Sequence, residues 1–157
     1  MSFKQKKNIP AEEVFLKMQH YCAYQERCEE EVLQKLQEFD VSEESKAQII
    51  TLLIDDNFVN NERFAKIYAQ SKFRLKKWGR LKIQQALKGK KIAAPLIVKA
   101  LNEIDEIAYS ECLENILATK QAQLSQKTDE LFVIKQKAAA YALSKGFESS
   151  LIWEILR

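Results

Sequence analysis

Apolar residues recur at spacings of three and four along most of this chain, which is the period of an amphipathic α-helix. The 157 residues include only three glycines and two prolines, so few positions break that period. Ser42 before Glu43, and Asn60 or Asn61 before Glu62, suit helix starts. The pattern predicts an all-α protein with helices over residues 10–26, 29–39, 43–56, 61–77, 80–89, 93–104, 106–124, 129–145 and 148–156.

The predicted helices fall into a weak internal repeat. A shift of 51 residues places Val32 on Ile83, and a further shift of 55 places Ile92 on Phe147. The repeat predicts a tail over residues 1–9 and an elongated array of three tandem three-helix repeats over 10–57, 58–104 and 105–157. Chance coincidence of apolar positions is the alternative, and spacing by itself leaves it open.

Charge is distributed unevenly along the chain. From Phe64 to Asn102 there is no acidic residue, while eleven lysines and arginines occur there. The remainder holds 14 basic and 22 acidic residues, so the formal net charge of +3 hides a basic middle in an acidic protein. Helix surfaces usually alternate charges to gain ion pairs, and a run of one sign costs stability that a polyanionic partner would restore. Nucleic-acid phosphates are the first candidate polyanion, and an acidic protein surface is the second.

A helical wheel over residues 61–77 predicts which side chains face outward. The stripe expected to be buried consists of Phe64, Ile67, Tyr68, Ser71 and Leu75. Phe73 falls on the opposite face among lysines, where a ring can stack on a base or anchor a protein interface. Packing of Phe73 against a neighbouring helix is the alternative. Trp78 and Gly79 predict a break before the next helix. In that next helix, Ile83 and Leu87 are expected to face inward.

Other function classes have little support in the sequence. The three cysteines lack a CxxC spacing and are odd in number, and His20 is the only histidine, so we expect reduced thiols and no metal site. No glycine-rich phosphate loop or HExxH motif occurs, and we expect neither enzymatic activity nor a cofactor. No apolar run is long enough to span a membrane, and the N-terminus does not resemble a secretory signal. We therefore expect a cytoplasmic protein without membrane contact.

Residues 60–92, NNERFAKIYAQSKFRLKKWGRLKIQQALKGKKI, resemble the RecX family of bacterial recombination regulators. The matching residues are Glu62, Arg63, Phe64, Ala65, Tyr68, Arg74, Gly79, Arg80, Ile83, Leu87 and Ile92. Looser similarity covers residues 18–58 and the C-terminal segment LSKGF…LIWEIL. Asp40 and Lys91 stand where the family usually has glycine before an apolar residue, and only Gly146 keeps that form.

The resemblance implies an all-α array of three three-helix repeats. It also implies a role in recombination, DNA repair and the SOS response through the RecA recombinase. Such a protein binds the filament that RecA forms on single-stranded DNA, lies in its groove, and lowers the ATPase and strand-exchange activities. On that basis we expect a monomer whose partners are RecA, its filament and single-stranded DNA.

The candidate binding residues come from the basic middle of the chain. Lys72, Arg74, Lys76, Lys77, Arg80, Lys82 and Lys88 would supply the electrostatic attraction, with Phe73 and Trp78 as anchors. A core position for Trp78 is equally compatible with the sequence. Two other classes stay open, namely a nucleic-acid-binding helical module that acts without RecA and a helical adaptor for an acidic protein partner.

Overall fold

A computed structural model describes residues 9–157 and confirms the all-α prediction. The helices among these residues are α1 Ala11–Tyr24, α2 Glu29–Leu36, α3 Glu43–Asp55, α4 Asn61–Lys76, α5 Arg80–Gly89, α6 Ala94–Asn102, α7 Glu106–Ser125, α8 Leu131–Ser144 and α9 Ser149–Leu156. Within this described part, no helix is long and apolar enough to cross a membrane. The predicted tail over residues 1–9 lies almost entirely outside the described residues.

The chain divides into two units. The first comprises the described residues up to Ala65 together with Lys90–Ile92, and the second comprises Lys66–Gly89 and Ala93–Arg157. The predicted division into three three-helix repeats stays a prediction.

Helix starts follow the capping residues that the sequence offers. The Ser42 hydroxyl accepts a hydrogen bond from the Ser45 N–H at 3.1 Å, as predicted for α3. Asn60 Oδ1 accepts from the Arg63 N–H at 3.0 Å at the start of α4. Asp105 caps α7 in the same way, so this carboxylate is satisfied as a helix cap.

The core of the first unit lies between α1, α2 and α3. Its buried residues are Val14, Met18, Cys22, Val32, Leu36, Phe39, Ile49, Leu53 and Val59. They recur at helical spacing within each element, so the apolar period of the sequence is the reason these three helices pack together.

Two turns place a residue with positive φ directly before a buried apolar side chain. Gly146 has a φ of 96° and precedes Phe147, while Lys91 has a φ of 58° and precedes Ile92. Lys91 therefore adopts the left-handed conformation. This conformation costs lysine more than glycine, because the lysine Cβ lies too close to the backbone there. Asn57 and Lys77 are the other non-glycine residues with positive φ in the described chain.

The wheel predicted part of the buried face of α4 wrongly, although Phe64 is buried as predicted. Ile67 and Leu75 are 48% and 79% exposed, whereas Ala69 and Phe73 are 0% and 8% exposed. The Phe73 ring lies 5.8 Å from the Tyr109 ring, centroid to centroid. Ala65 and Ala69 are fully buried, and the predicted stripe of larger residues did not include them. Phe73 is thus a core residue of the second unit, and the prediction that it is exposed is wrong.

The start of α5 is joined backbone to backbone to the turn between α8 and α9. The Gly79 N–H donates to the Lys145 carbonyl at 2.7 Å, and the Leu81 N–H donates to the Gly146 carbonyl at 3.0 Å. A Cβ atom on Gly79 would lie 2.3 Å from the Gly146 carbonyl carbon, so no larger residue fits without movement of the backbone. We call this contact the glycine clamp. It satisfies N–H groups of the first turn of α5 that have no partner within the helix.

The side chain of Tyr109 completes the glycine clamp. Its hydroxyl accepts from the Arg80 N–H at 3.1 Å and donates to a carboxylate oxygen of Glu148. The Arg80 guanidinium carbon lies 3.8 Å from the centroid of the Tyr109 ring, and its nitrogens form ion pairs with Glu148 at 2.8 Å and Glu106 at 2.9 Å. Burial raises the pKa of Tyr109 above its ordinary range, and the hydrogen bond to Glu148 raises it further.

Replacement of Lys91 by glycine should stabilise the protein. Because glycine has no Cβ, Lys91→Gly relieves the left-handed conformation and should raise the free energy of unfolding by about 0.5 to 1 kcal/mol. Urea denaturation measures this. Lys91→Ala is the matched control, since it also removes the ion pair with Glu30 but keeps a Cβ. Equal stability of the two variants would contradict the conformational explanation.

Tyr109→Phe should lower the free energy of unfolding at neutral pH by about 1 to 3 kcal/mol, because the Arg80 N–H loses its acceptor. The folded protein raises the pKa of Tyr109, so the stabilisation is complete below the ordinary pKa of about 10 and declines as the pH rises above it.

Urea denaturation of both proteins between about pH 8 and pH 11 should therefore show their difference shrinking above about pH 10. A difference that stays constant over this range would show that the phenol group is not the titrating group.

Candidate polyanion-binding surface

The basic stretch from Lys72 to Lys91 occupies the end of α4, the following turn, α5 and the first residues of the turn after α5. Four of the predicted binding residues are exposed, namely Arg74, Lys76, Lys77 and Lys88, and Lys72 and Lys82 are half-buried. Within residues 9–157, none of these six forms an ion pair. This set, which we call the basic surface, can therefore attract an anion without first breaking an ion pair.

Trp78 lies between two lysines of the basic surface. The Lys72 and Lys82 ammonium groups lie 5.0 and 4.8 Å from the centroid of its indole ring. Trp78 is half-buried, and both ammonium groups lie over its ring, within the distance of a cation–π contact. The structure thus brings Trp78, Lys72 and Lys82 together.

Arg80 is not one of the cations that lack an ion pair. Its guanidinium group is held by Glu148, Glu106 and the Tyr109 ring, so its two nearest carboxylates neutralise it. Burial lowers its pKa, but the hydrogen bond to Glu148 and the charge of that carboxylate raise it by more, so Arg80 stays charged. Arg80 and Phe73 were both predicted to contact a partner, and the structure gives both of them positions inside the second unit.

Acidic residues from outside the acid-free stretch neutralise some of its other cations. Lys90 Nζ lies 3.3 Å from Glu31, and Lys91 Nζ lies 3.6 Å from Glu30. Lys66 Nζ lies 3.2 Å from Glu103. The acid-free stretch of sequence therefore carries less unneutralised charge than its composition indicates, and the unpaired cations lie at the end of α4, in the turn after it and along α5.

Two lysines that the sequence analysis missed share a groove with Lys77. Lys120 from α7 and Lys145 from the turn after α8 line this groove together with Tyr141. Lys145 Nζ also donates to the Lys76 carbonyl at 2.9 Å, which ties it to the end of α4. No local sequence signal marks these residues, because they lie at least 40 positions away from Lys77 along the chain.

The outer face of α4 combines apolar and basic side chains. Ile67 and Leu75 line a shallow depression with Arg74 and the polar residues Gln70 and Ser71. Exposed aliphatic side chains next to a cation suit a protein surface better than a phosphate backbone.

Metal and thiol chemistry find no support in residues 9–157. No group of three His, Cys, Asp or Glu side chains in this range could hold a metal ion. Burial raises the pKa of Cys22 to about 11, and it also raises the pKa of Cys28 and of Cys112. These thiols are therefore protonated at neutral pH and are weak nucleophiles.

Comparison with known proteins identifies relatives of this chain. A family model described as RecX, second three-helix domain, matches residues 60–101. Regulatory protein RecX of Lactobacillus gasseri is 30% identical over 134 residues, which cover 83% of this chain and 48% of that protein. Regulatory protein RecX of Clostridium perfringens is 28% identical over 131 residues, which cover 83% of this chain and 61% of that protein. The chain thus spans about half to three-fifths of the length of these curated relatives.

Solved structures share the fold. The crystal structure of RecX from Lactobacillus salivarius matches with a TM-score of 0.84 at 23% identity, over 93% of this chain and 94% of that one. A second crystal structure, of a regulatory protein RecX, matches with a TM-score of 0.83 at 23% identity, over 92% of this chain and 70% of that one. The family model, the curated relatives and the shared fold agree with one another, and the chain belongs to the RecX family.

Proposed function

We propose that this protein is a non-enzymatic modulator of RecA. It binds the filament that RecA forms on single-stranded DNA and lowers the ATPase and strand-exchange activities of that filament. The printed names of the relatives say only that they are regulatory proteins, and RecA is the partner that the RecX family implies.

The basic surface is the observation that carries the proposal. Six cations at the end of α4, in the turn after it and along α5 have no acidic partner in the described chain, and this segment falls inside the region that the RecX family model matches. A nucleoprotein filament presents phosphates at regular intervals, so it offers the polyanion that would remove the mutual repulsion of these cations.

The apolar side chains on α4 support a protein component of the partner. Ile67 and Leu75 are exposed beside Arg74, and a bare nucleic acid would leave both aliphatic chains in water. A filament made of protein and DNA can occupy this apolar face and the basic surface at the same time. Two weak contacts of this kind act together through multivalency.

A helical adaptor for an acidic protein is the second candidate function. The same exposed Ile67 and Leu75 favour it, because an acidic protein surface could contact both the apolar face and Arg74. It predicts that single-stranded DNA binds weakly at moderate salt.

The proposal predicts that substoichiometric amounts of this protein reduce RecA ATP hydrolysis in the presence of single-stranded DNA. We expect inhibition at far less than one molecule per RecA, because one molecule that stops filament growth or destabilises the filament affects many RecA subunits. The assay measures ATP hydrolysis with DNA well in excess of what the protein could cover. Inhibition that begins only once the protein covers the DNA would contradict an action on the filament.

Two double charge-reversal variants test whether the basic surface is needed for inhibition of RecA. Arg74→Glu with Lys88→Glu should raise the amount needed for half-maximal inhibition about tenfold, because two phosphate contacts become repulsive. Lys17→Glu with Lys137→Glu makes the same charge change at exposed positions on α1 and α8, and should leave inhibition unchanged. Arg80 is unsuitable for this test, because its replacement removes the ion pairs with Glu106 and Glu148 that lie inside the second unit. Equal effects of the two pairs would show that net charge matters and the basic surface does not.

A further inference from the structure

The groove between α7 and α8 has the composition of an anion site. Its volume of about 230 Å³ is several times the roughly 30 Å³ that one water molecule occupies in the liquid, so a phosphate-sized group can enter. Its lining residues are Lys77, Asn115, Ile116, Thr119, Lys120, Gln123, Tyr141 and Lys145. None of them is acidic, and all belong to the second unit.

Three lysines reach this groove from three parts of the fold. Lys77 follows α4, Lys120 lies in α7 and Lys145 follows α8. None of the three forms an ion pair with a described residue. Positive charges that converge without a carboxylate repel one another, and a bound anion would relieve that repulsion.

An aromatic ring distinguishes the groove from a simple anion trap. Tyr141 is 40% exposed, and the Lys120 ammonium lies 4.7 Å from its ring centroid. The ammonium lies over the face of the ring, and the flexible lysine stem allows it to move from that face to a phosphate and leave the face to a base. In a duplex the bases are paired and stacked inside, so this arrangement selects single strands. The amide and hydroxyl groups of Asn115, Thr119 and Gln123 supply hydrogen-bond partners for a sugar or a phosphate.

We propose that this groove binds one nucleotide unit of single-stranded DNA, with the phosphate at Lys77, Lys120 and Lys145 and the base on Tyr141. Lys77 also belongs to the basic surface, so the strand that crosses the α4–α5 turn continues into the groove. The inference deepens the proposed function and rests on it for the identity of the nucleic acid, since the filament contains single-stranded DNA.

The test is binding of a fluorescent oligothymidylate to the full chain, measured by anisotropy over a range of salt concentrations. Tyr141→Leu should weaken binding about fivefold or more, because one base loses its stacking partner. Lys120→Gln should also weaken it, and should reduce the slope of log affinity against log salt by about 0.7, the contribution of one phosphate contact on a single strand. Lys120→Arg keeps the charge and should restore both values.

Matched controls are present on α8. Phe132→Leu removes an aromatic side chain that is 74% exposed, and Lys137→Gln removes an exposed lysine. Neither residue lines the groove, so both variants should bind like the parent protein. If Tyr141→Leu equals Phe132→Leu, or Lys120→Gln equals Lys137→Gln, the groove is not the site. Displacement of the oligothymidylate by polyglutamate as readily as by unlabelled DNA would assign the groove to an acidic peptide and also overturn the proposal.

The same variants in the RecA assay separate the two proposals. If the parent protein inhibits RecA while Tyr141→Leu and Lys120→Gln bind DNA normally, the groove proposal fails and the proposed function stands. If the parent protein leaves RecA unaffected while these variants lose DNA affinity, the proposed function fails and the groove is a DNA site on its own.

Discussion

The second unit depends on the close approach of the Gly79 and Gly146 backbones. A Cβ atom on Gly79 would overlap the backbone of Gly146, and a Cβ atom on Gly146 would overlap Lys82, so the contact requires glycine at both positions. Through it the first turn of α5 gains hydrogen-bond acceptors from the α8–α9 turn, and Arg80 is directed onto Tyr109 and Glu148. The aromatic rings of Phe73, Tyr109 and Phe147 pack directly beside this contact.

This arrangement places a paired cation and several unpaired cations within one short motif. Arg80 is neutralised by Glu106 and Glu148, while Lys82 and Lys88 lie on α5, whose start the glycine clamp holds in place. Fixed positions reduce the conformational entropy that a partner would have to remove on binding. The cations at the end of α4 also lie near the negative end of its helix dipole, which offsets part of their repulsion. The same unit can thus be stable and still keep a set of unneutralised lysines.

The apolar period was sufficient to predict the helices to within about three residues at each end, and capping residues marked the starts of α3 and α4. The orientation of α4 was predicted wrongly, since small Ala65 and Ala69 face the core while larger Ile67 and Leu75 face outward. The ion pairs of Arg80 with Glu106 and Glu148 could not be predicted, because these carboxylates are remote in the sequence. The lysines of the α7–α8 groove were missed for the same reason. Contacts between residues far apart along the chain determine the orientation of α4, the ion pairs of Arg80 and the lining of the groove. No local sequence pattern encodes such contacts.

An apolar and basic face on α4 and a groove that suits a single strand fit a partner made of protein and DNA together. The most direct measurement compares the affinity of this protein for a preformed RecA filament on single-stranded DNA, for RecA alone and for the DNA alone. We expect the filament to bind more tightly than either component, with an affinity that falls as salt rises. Equal affinity for bare DNA and for the filament would contradict a role on the filament and leave a DNA-binding protein that acts without RecA.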